Sequence, residues 1–402
     1  ANKNNKMKQI LLSITLFFCI SQTLYAQKFD TLFYKADLNI DKKTSLIITL
    51  EKIEQQDTVL YLLGSPMQTK EKIAPSKVKY IGDTLSLGFK QLNAVIKINQ
   101  KTLQGTFKQG ALRKDIRFEK QDYSFSLKRP QTPLPPFPYE SKELTFSNPE
   151  SDYVFHGTLT FPKEKGKYPL VVLVSGSGCQ NRDEEIFGHK PFSVIADFLS
   201  RNGIAVFRYD DRGWGEKEER MYKGTTMDFA QDALCAINKV KQESIVDTNN
   251  IGIIGHSEGG MIAQILANEV DFIIMMAAPA TSGKNILISQ GADFSNYSFD
   301  TTKINDYWLK YFYNFEPKDY LTKIKVPTLV LQGGKDHQVF SKENIPRMQE
   351  YLSSPFIKEY PNLNHLFQNC ETGQPNEYAL IEETIDKQVL KDIFNFIIFL
   401  KK

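Results

Sequence analysis

The 402-residue chain has four cysteines, two tryptophans and five histidines, and each shortage removes a class of protein. Cys19 falls in an N-terminal apolar run, leaving Cys179, Cys235 and Cys370 beyond it. Three thiols permit one bridge, for which Cys179 and Cys370 are the candidates, but they do not make a disulfide framework. The histidines are scattered and no Cys/His cluster exists, so nothing has the spacing of a metal site. Neither sign of charge dominates: 50 Lys+Arg stand against 47 Asp+Glu. Without a basic block there is no electrostatic footprint for nucleic acid or an anionic membrane. A comfortable membrane span needs about 20 apolar residues, and the run Ile10–Ile20 is shorter than that.

That run has a different reading. Lys3, Lys6 and Lys8 precede it and Ala26 offers a small residue for cleavage, so residues 1–26 are expected to be a signal peptide. The mature protein is then exported, periplasmic or secreted, without a stable membrane span. Removing those three lysines balances the charges.

What is present divides in two. Over residues 27–129 short alternating stretches (Ser45–Leu50, Val59–Leu63, Thr84–Leu87, Ala94–Ile98, Leu103–Phe107, Asp115–Phe118) are punctuated by Gly, Asp and Asn. They predict a small all-β domain, an antiparallel sheet or barrel. Residues 130–138, with five prolines in nine, read as a semi-rigid linker. From 139 to 402 the pattern changes to compact apolar strands (Leu170–Val174, Ile204–Phe207, Ile251–Ile254, Phe272–Met276, Thr328–Leu331) separated by helical stretches at Phe192–Arg201, Met227–Lys241 and Gly260–Glu269. An antiparallel pair (Leu144–Ser147, Tyr153–Phe161) precedes them; a strand at Phe356–Tyr360 and a helix at Asp386–Leu400 close the chain. Strands buried on both faces and alternating with helices predict a doubly wound, mostly parallel α/β sheet, with ligands at the carboxyl ends of the strands. An aromatic-rich insertion at about 281–322 interrupts the alternation, where it could cap the pocket.

The chemistry centres on Gly255-His-Ser257-Glu-Gly259, a G-x-S-x-G nucleophile elbow between a strand and a helix. Ser257 is the candidate nucleophile. A serine hydroxyl needs a base, and the base needs a group to fix its tautomer. His365, in a loop after the last strand, is the candidate base. His256 is next to the serine and should point away; His156, His189 and His337 are less well placed. Asp336 follows a buried strand and a glycine turn and is the candidate acid; Asp306 and Asp319 lie in the irregular insertion. Backbone N–H groups of Glu258 and of Ser177 in the Ser175–Gly178 loop are the candidate oxyanion donors, with Gly178 an alternative to Ser177. That loop lacks the GK[ST] ending of a P-loop. Arg182, Asp183, Asp210, Asp211 and Arg212 are expected to brace loops through ion pairs. No cofactor and no metal are expected.

These residues resemble the α/β-hydrolases over roughly 139–402, in the order Ser257, Asp336, His365. The phrases LVSGSGCQNRDE, FRYDDRGWG, IGHSEGG, LVLQGGKDHQV and LNHLFQ look like a bacterial branch of serine esterases, similar to dienelactone hydrolases and acyl-CoA thioesterases, with a β-rich N-terminal domain. Ser175 stands where many relatives of that branch carry a histidine. Dienelactone hydrolases have cysteine as nucleophile, so Ser257 speaks against that activity. The resemblance implies a serine esterase acting through an acyl-enzyme on a small-molecule or glycan-linked ester. Short acyl groups, such as acetyl on carbohydrate, are expected because the insertion at about 281–322 is short and no broad lipid-binding lid is evident. The alternatives are a prolyl-oligopeptidase-like peptidase and a non-catalytic glycan- or partner-binding protein.

Overall fold

The structure is a computed structural model that describes residues 30–40, 45–55, 58–68, 71–216, 223–295, 297–300 and 304–400. The expected signal peptide lies outside them. The chain forms two units that divide between Ser126 and Leu127.

The first unit is all β. Strands β1 (Asp30–Asn39), β2 (Ser45–Gln55), β3 (Thr58–Gly64), β4 (Lys72–Ile73), β5 (Lys77–Ile81), β6 (Thr84–Phe89), β7 (Ala94–Asn99), β8 (Gln104–Gln109), β9 (Leu112–Arg117) and β10 (Glu119–Gln121) make two antiparallel five-stranded sheets. Their orders are β10-β1-β2-β3-β4 and β5-β6-β7-β8-β9. Alternate residues of both sheets, among them Leu38, Ile48 and Leu50 from one and Leu87, Ile96 and Phe107 from the other, share one core. The period of two in the sequence thus closes two sheets on each other.

The second unit holds an eight-stranded sheet of β11 (Tyr139–Ser147), β12 (Val154–Pro162), β13 (Tyr168–Val174), β14 (Ala205–Tyr209), β15 (Val246–His256), β16 (Phe272–Met276), β17 (Thr328–Gly333) and β18 (Phe356–Tyr360). Its order is β11-β12-β14-β13-β15-β16-β17-β18; β11 and β12 pair antiparallel and the strands from β14 to β18 are parallel. The central run of β13 shows why. Leu170, Val172 and Val174 enter the core under helices α2 (Thr226–Val240) and α3 (Glu258–Leu266), while Val171 and Leu173 enter the core under α1 (Pro191–Arg201) and the C-terminal helix Lys387–Leu400. All five are at most 2% exposed. Each such side chain contributes about 1.5–3 kcal/mol by leaving water. A strand buried on both faces cannot tolerate polar residues on either, hence the unbroken apolar run. Helix α2 starts at a capping box in which the Thr225 hydroxyl and the Asp228 carboxylate satisfy each other's backbone N–H.

The proline-rich segment, expected as a semi-rigid linker, is held by the polar residues at its start. Arg129 donates to the carbonyls of Phe187, Ala379 and Ile381, Gln131 donates to Ile385 O at 2.7 Å and accepts from Ile385 N at 3.1 Å, and Phe137 stacks on Tyr139. Polyproline backbone has no internal hydrogen bonds, so the polar residues beside the prolines fasten the segment to the second unit instead. Cys235 and Cys370 are free thiols. No Cys179–Cys370 bridge is formed: Cys179 Sγ faces Arg212 O and Cys370 Sγ faces Asn362 O.

Candidate active site

Ser257 sits between the end of β15 and the start of α3 with φ 54° and ψ −116°. A side chain at positive φ is strained by roughly 1–2 kcal/mol, and the glycines around it explain how the strain is held. A Cβ on Gly255 would lie 2.0 Å from Gly259 O; one on Gly259, 2.0 Å from Val174 O; one on Gly260, 2.3 Å from Ala278 Cβ. Strand and helix therefore approach as closely as backbone permits. Ser257 N donates to Met276 O and Ser257 O accepts from Gly260 N, each at 2.9 Å.

Asp336 follows β17 in a turn joined to the loop after β18: Gly334 N donates to Tyr360 O at 2.8 Å and Lys335 N to Leu363 O at 3.0 Å. Gly333 must lack a side chain because a Cβ would meet the carbonyls of Leu363 and Asn364 at 2.5 Å. The Asp336 carboxylate has a full set of donors. Oδ1 accepts from the N–H groups of Gln338 (2.7 Å) and Val339 (2.8 Å), and Oδ2 accepts from Gln332 Nε2 (3.0 Å) and faces His365 Nδ1 at 2.8 Å. Both side chains of this pair are at most 5% exposed. The His365 turn is wound around Asn364, whose Oδ1 accepts from Leu366 N and Gln368 N.

The structure thus joins Asp336 to His365 directly. Among the described residues the Ser257 hydroxyl makes no hydrogen bond to the His365 ring, a contact that often tightens only with substrate present. What links the elbow to the base loop here is His256. Its ring lies 4.8 Å from that of His365, centroid to centroid, and its Nε2 donates to His365 O at 3.0 Å. On the other side its Nδ1 faces Glu184 Oε1 at 2.9 Å. Burial alone would lower the His256 pKa. The Glu184 charge and hydrogen bond, the His365 carbonyl and Asp336 outweigh it and leave the imidazole raised.

The candidate oxyanion donors flank the serine. Glu258 opens α3 and presents its N–H at the positive end of the helix; its buried side chain accepts from Thr226 Oγ1 at 2.7 Å and Trp308 Nε1 at 2.9 Å. Ser177 lies exposed in the turn after β13. Beside it, Gly176 N is already committed to Glu184 Oε1 at 2.7 Å. A Cβ on Gly176 would be 3.2 Å from Ser257 Cβ, so this loop lies against the nucleophile. Behind it Asp211 accepts from Ser175 Oγ and Gln180 N, and burial pushes its pKa well up. The remaining charges brace neighbouring loops: Arg182 grips Asp210 and Glu143, Arg208 meets Asp183, and Arg212 holds Asp232 through two nitrogens.

The insertion supplies helices α4 (Gly283–Ser289), α5 (Ile304–Tyr313) and α6 (Lys318–Leu321). Ile286, Phe312, Phe315 and Val339 pack on Met261 of α3, and Trp308 of α5 reaches Glu258. The other histidines have separate work. His189 is buried between Thr384 Oγ1 and Tyr378 O, His337 faces Thr372 O, and His156 lies on β12. Among the described residues no group of three or more His, Cys, Asp or Glu could hold a metal, and no helix is long and apolar enough to cross a membrane. Sequence reasoning missed Glu184 and the Glu258–Trp308 contact. Glu184 closes the phrase LVSGSGCQNRDE, but nothing in that phrase shows which of its polar residues turns back onto the glycine turn.

The second unit has the α/β-hydrolase fold, with Ser257 in the turn between strand and helix. The sequence model of the family described as "Serine aminopeptidase, S33" matches residues 190–300, a span that contains Ser257. The chain is 26% identical over 357 residues to Esterase EstD of Thermotoga maritima, covering 82% of each chain. It is 22% identical over 217 residues to Acylamino-acid-releasing enzyme 2 of Oryza sativa subsp. japonica, with 49% of this chain and 28% of that protein covered. Among solved structures it is similar to Est1E from Butyrivibrio proteoclasticus, with TM-score 0.47, 16% identity, and coverage of 65% of this chain and 99% of that one. The longest of these matches is thus to a protein named as an esterase.

Proposed function

We propose that the protein cleaves short-acyl esters, such as acetyl groups carried on carbohydrate, through a covalent acyl-enzyme. Ser257 Oγ attacks the ester carbonyl carbon while His365 Nε2 takes its proton. Asp336 holds His365 in the required tautomer and stabilises the charge it gains. The N–H groups of Glu258 and Ser177 receive the oxyanion. Collapse of the tetrahedral species expels the alcohol, which takes the proton back from His365, and water then releases the acid by the same steps.

The observation that carries the reading is the buried Asp336–His365 pair at 2.8 Å beside a serine held at positive φ. A preference for short acyl groups is supported by Trp308, which is hydrogen-bonded to the residue after the nucleophile and fixes an aromatic ring close to the elbow. Export after loss of residues 1–26 is part of the proposal, and N-terminal sequencing of the secreted or periplasmic protein tests it.

The test of mechanism is nitrophenol release from nitrophenyl acetate, butyrate and octanoate by wild type and Ser257→Ala. Loss of one member of such a triad is expected to cost about 10⁴–10⁶ in kcat. Equal rates would remove the mechanism; octanoate cleaved faster than acetate would remove the short-acyl preference; cleavage of dipeptide amides without ester cleavage would favour a peptidase.

A further inference from the structure

We propose that Glu184 and His256 form a second acid–imidazole pair that positions the catalytic machinery, tying the oxyanion loop, the nucleophile elbow and the base loop to one carboxylate. This deepens the ester-hydrolase reading and rests on it.

The geometry is a three-way junction. Glu184 Oε1 accepts from Gly176 N at 2.7 Å, which fixes the Ser175–Gly176 peptide, one peptide before the one that carries Ser177 N. The same oxygen lies 2.9 Å from His256 Nδ1, and His256 is the residue before Ser257. His256 Nε2 lies 3.0 Å from His365 O, the carbonyl of the candidate base itself. Each of the three elements that must meet at the substrate carbonyl therefore has one backbone or side-chain group on this junction. Glu184 is 5% exposed and His256 6% exposed. Glu184 also holds φ 50°, a strained conformation for a non-glycine residue that its surroundings must maintain.

Counting protons gives the pair its chemistry. A carbonyl oxygen has no proton, so the contact at His365 O requires a proton on His256 Nε2. The Nδ1 contact to Glu184 needs a second proton between nitrogen and oxygen. The junction is read as imidazolium and carboxylate, with both protons on the ring; with one lost, a nitrogen lone pair faces an oxygen. The ionisable groups facing His256 are Glu184 from the loop after β13, His365 from the loop after β18 and, at longer range, Asp336 from the loop after β17. Asp211, from the loop after β14, bears on Glu184, and burial pushes its own pKa well up. The raised His256 pKa agrees with a ring that keeps both protons above the ordinary imidazole range. Activity should then need His365 neutral and His256 charged, two opposite demands on adjacent imidazoles.

The test uses full-length protein carrying ¹⁵N-histidine, with the His256 resonances assigned by their loss in His256→Asn. Wild type is expected to show both ring nitrogens protonated at neutral pH, and Glu184→Ala to lose one. Misplacement on the scale of an ångström costs about 10²-fold, so Glu184→Ala should lower kcat by about that factor with KM within about threefold. In Glu184→Gln the one atom at the shared position can either accept from Gly176 N or donate to a neutral His256 Nδ1, but not both. It should therefore recover only part of the loss and shift the alkaline fall of kcat, whereas a merely structural carboxylate would leave the pH profile in place. A single ring proton on wild-type His256 at neutral pH, or equal loss in Ala and Gln variants with an unaltered pH profile, overturns the proposal. A fluorophosphonate that fails to label wild-type Ser257 while His256 keeps both protons overturns the hydrolase reading, and the positioning role with it, but not the proton count.

Discussion

Replacing Asp336 by Asn removes one charge and almost no volume, so its effect follows from hydrogen-bond direction alone. The native carboxylate accepts four contacts, two on each oxygen, and its side chain has no exposure. An amide can accept on only one side. If its oxygen stays with Gln338 N and Val339 N, its NH₂ turns toward His365 Nδ1 and Gln332 Nε2. Nδ1 must then be the acceptor, which puts the ring proton on Nε2, where the Ser257 proton has to go. Gln332 is also a donor at that point and is pinned there by Val339 O at 2.9 Å, so a donor–donor conflict remains. The reverse orientation strands two buried N–H groups, at about 1–3 kcal/mol each. Asp336→Asn should therefore fold with about 1–3 kcal/mol less stability and lose about 10⁴ in kcat, with KM nearly unchanged. Nitrophenyl acetate kinetics and urea unfolding read the two effects separately. A kcat within tenfold of wild type would refute the tautomer argument.

Other expectations rest on different parts of the site. Gly259→Ala should cost about 3 kcal/mol or more and abolish esterase activity, because its Cβ would sit 2.0 Å from a main-chain oxygen that cannot yield. Gly203→Ala, at φ 89° but in open space, should cost only about 1–2 kcal/mol of strain; thermal melts compare the two. Trp308→Phe keeps the ring but removes the donor to the buried Glu258 carboxylate; a loss of about 1–3 kcal/mol and a changed acetate-to-butyrate ratio are expected, and unchanged values for both would show the contact to be idle. Burial, helped by the nearby Arg129 charge, lowers the His189 pKa from 6.5 to about 4. Unfolded chains therefore take up this proton first as pH falls through 6.5, so stability drops between there and pH 4 and is unaffected above. With solvent screening allowed for, the cost from pH 7 to pH 5 is about 1–2 kcal/mol, and urea midpoints of wild type and His189→Gln at both pH values should differ in slope.

The parallel sheet was legible because burial on both faces forces an unbroken apolar run, and Leu170–Val174 has no other good use. The elbow was legible for a related reason: a Cβ at 255 or 259 would come within 2.0 Å of a main-chain oxygen, so only glycine fits, and that leaves a mark in the sequence. Much of the rest leaves no such mark. Helix α7 (Ser341–Tyr351) buries few side chains, chiefly Asn344 and Met348, and carries Pro346 inside it, so neither periodicity nor propensity announces it. Strand β5 is exposed throughout and offers no alternation to detect. Arg129 and Gln131 looked like ordinary polar residues beside prolines, since their partners are backbone carbonyls some 250 positions away. Long-range bonds to main chain depend on where the chain returns, not on which residues it carries there.

The three residues His256-Ser257-Glu258 show why a strained turn is worth keeping. At ordinary helical or extended φ the serine could not face the strand ends while its neighbours serve opposite sides. With Ser257 at φ 54°, His256 reaches the base loop through His365 O and Glu258 reaches the insertion through Trp308. Ser257 is thereby flanked by one anchor to the loop of His365 and one to the insertion. A substrate that shifts the insertion pulls on Glu258, whose own N–H is a proposed oxyanion donor, so recognition and charge stabilisation share a single peptide. A change in α5 should for that reason appear in kcat as well as in KM, even when it touches none of Ser257, Asp336 or His365.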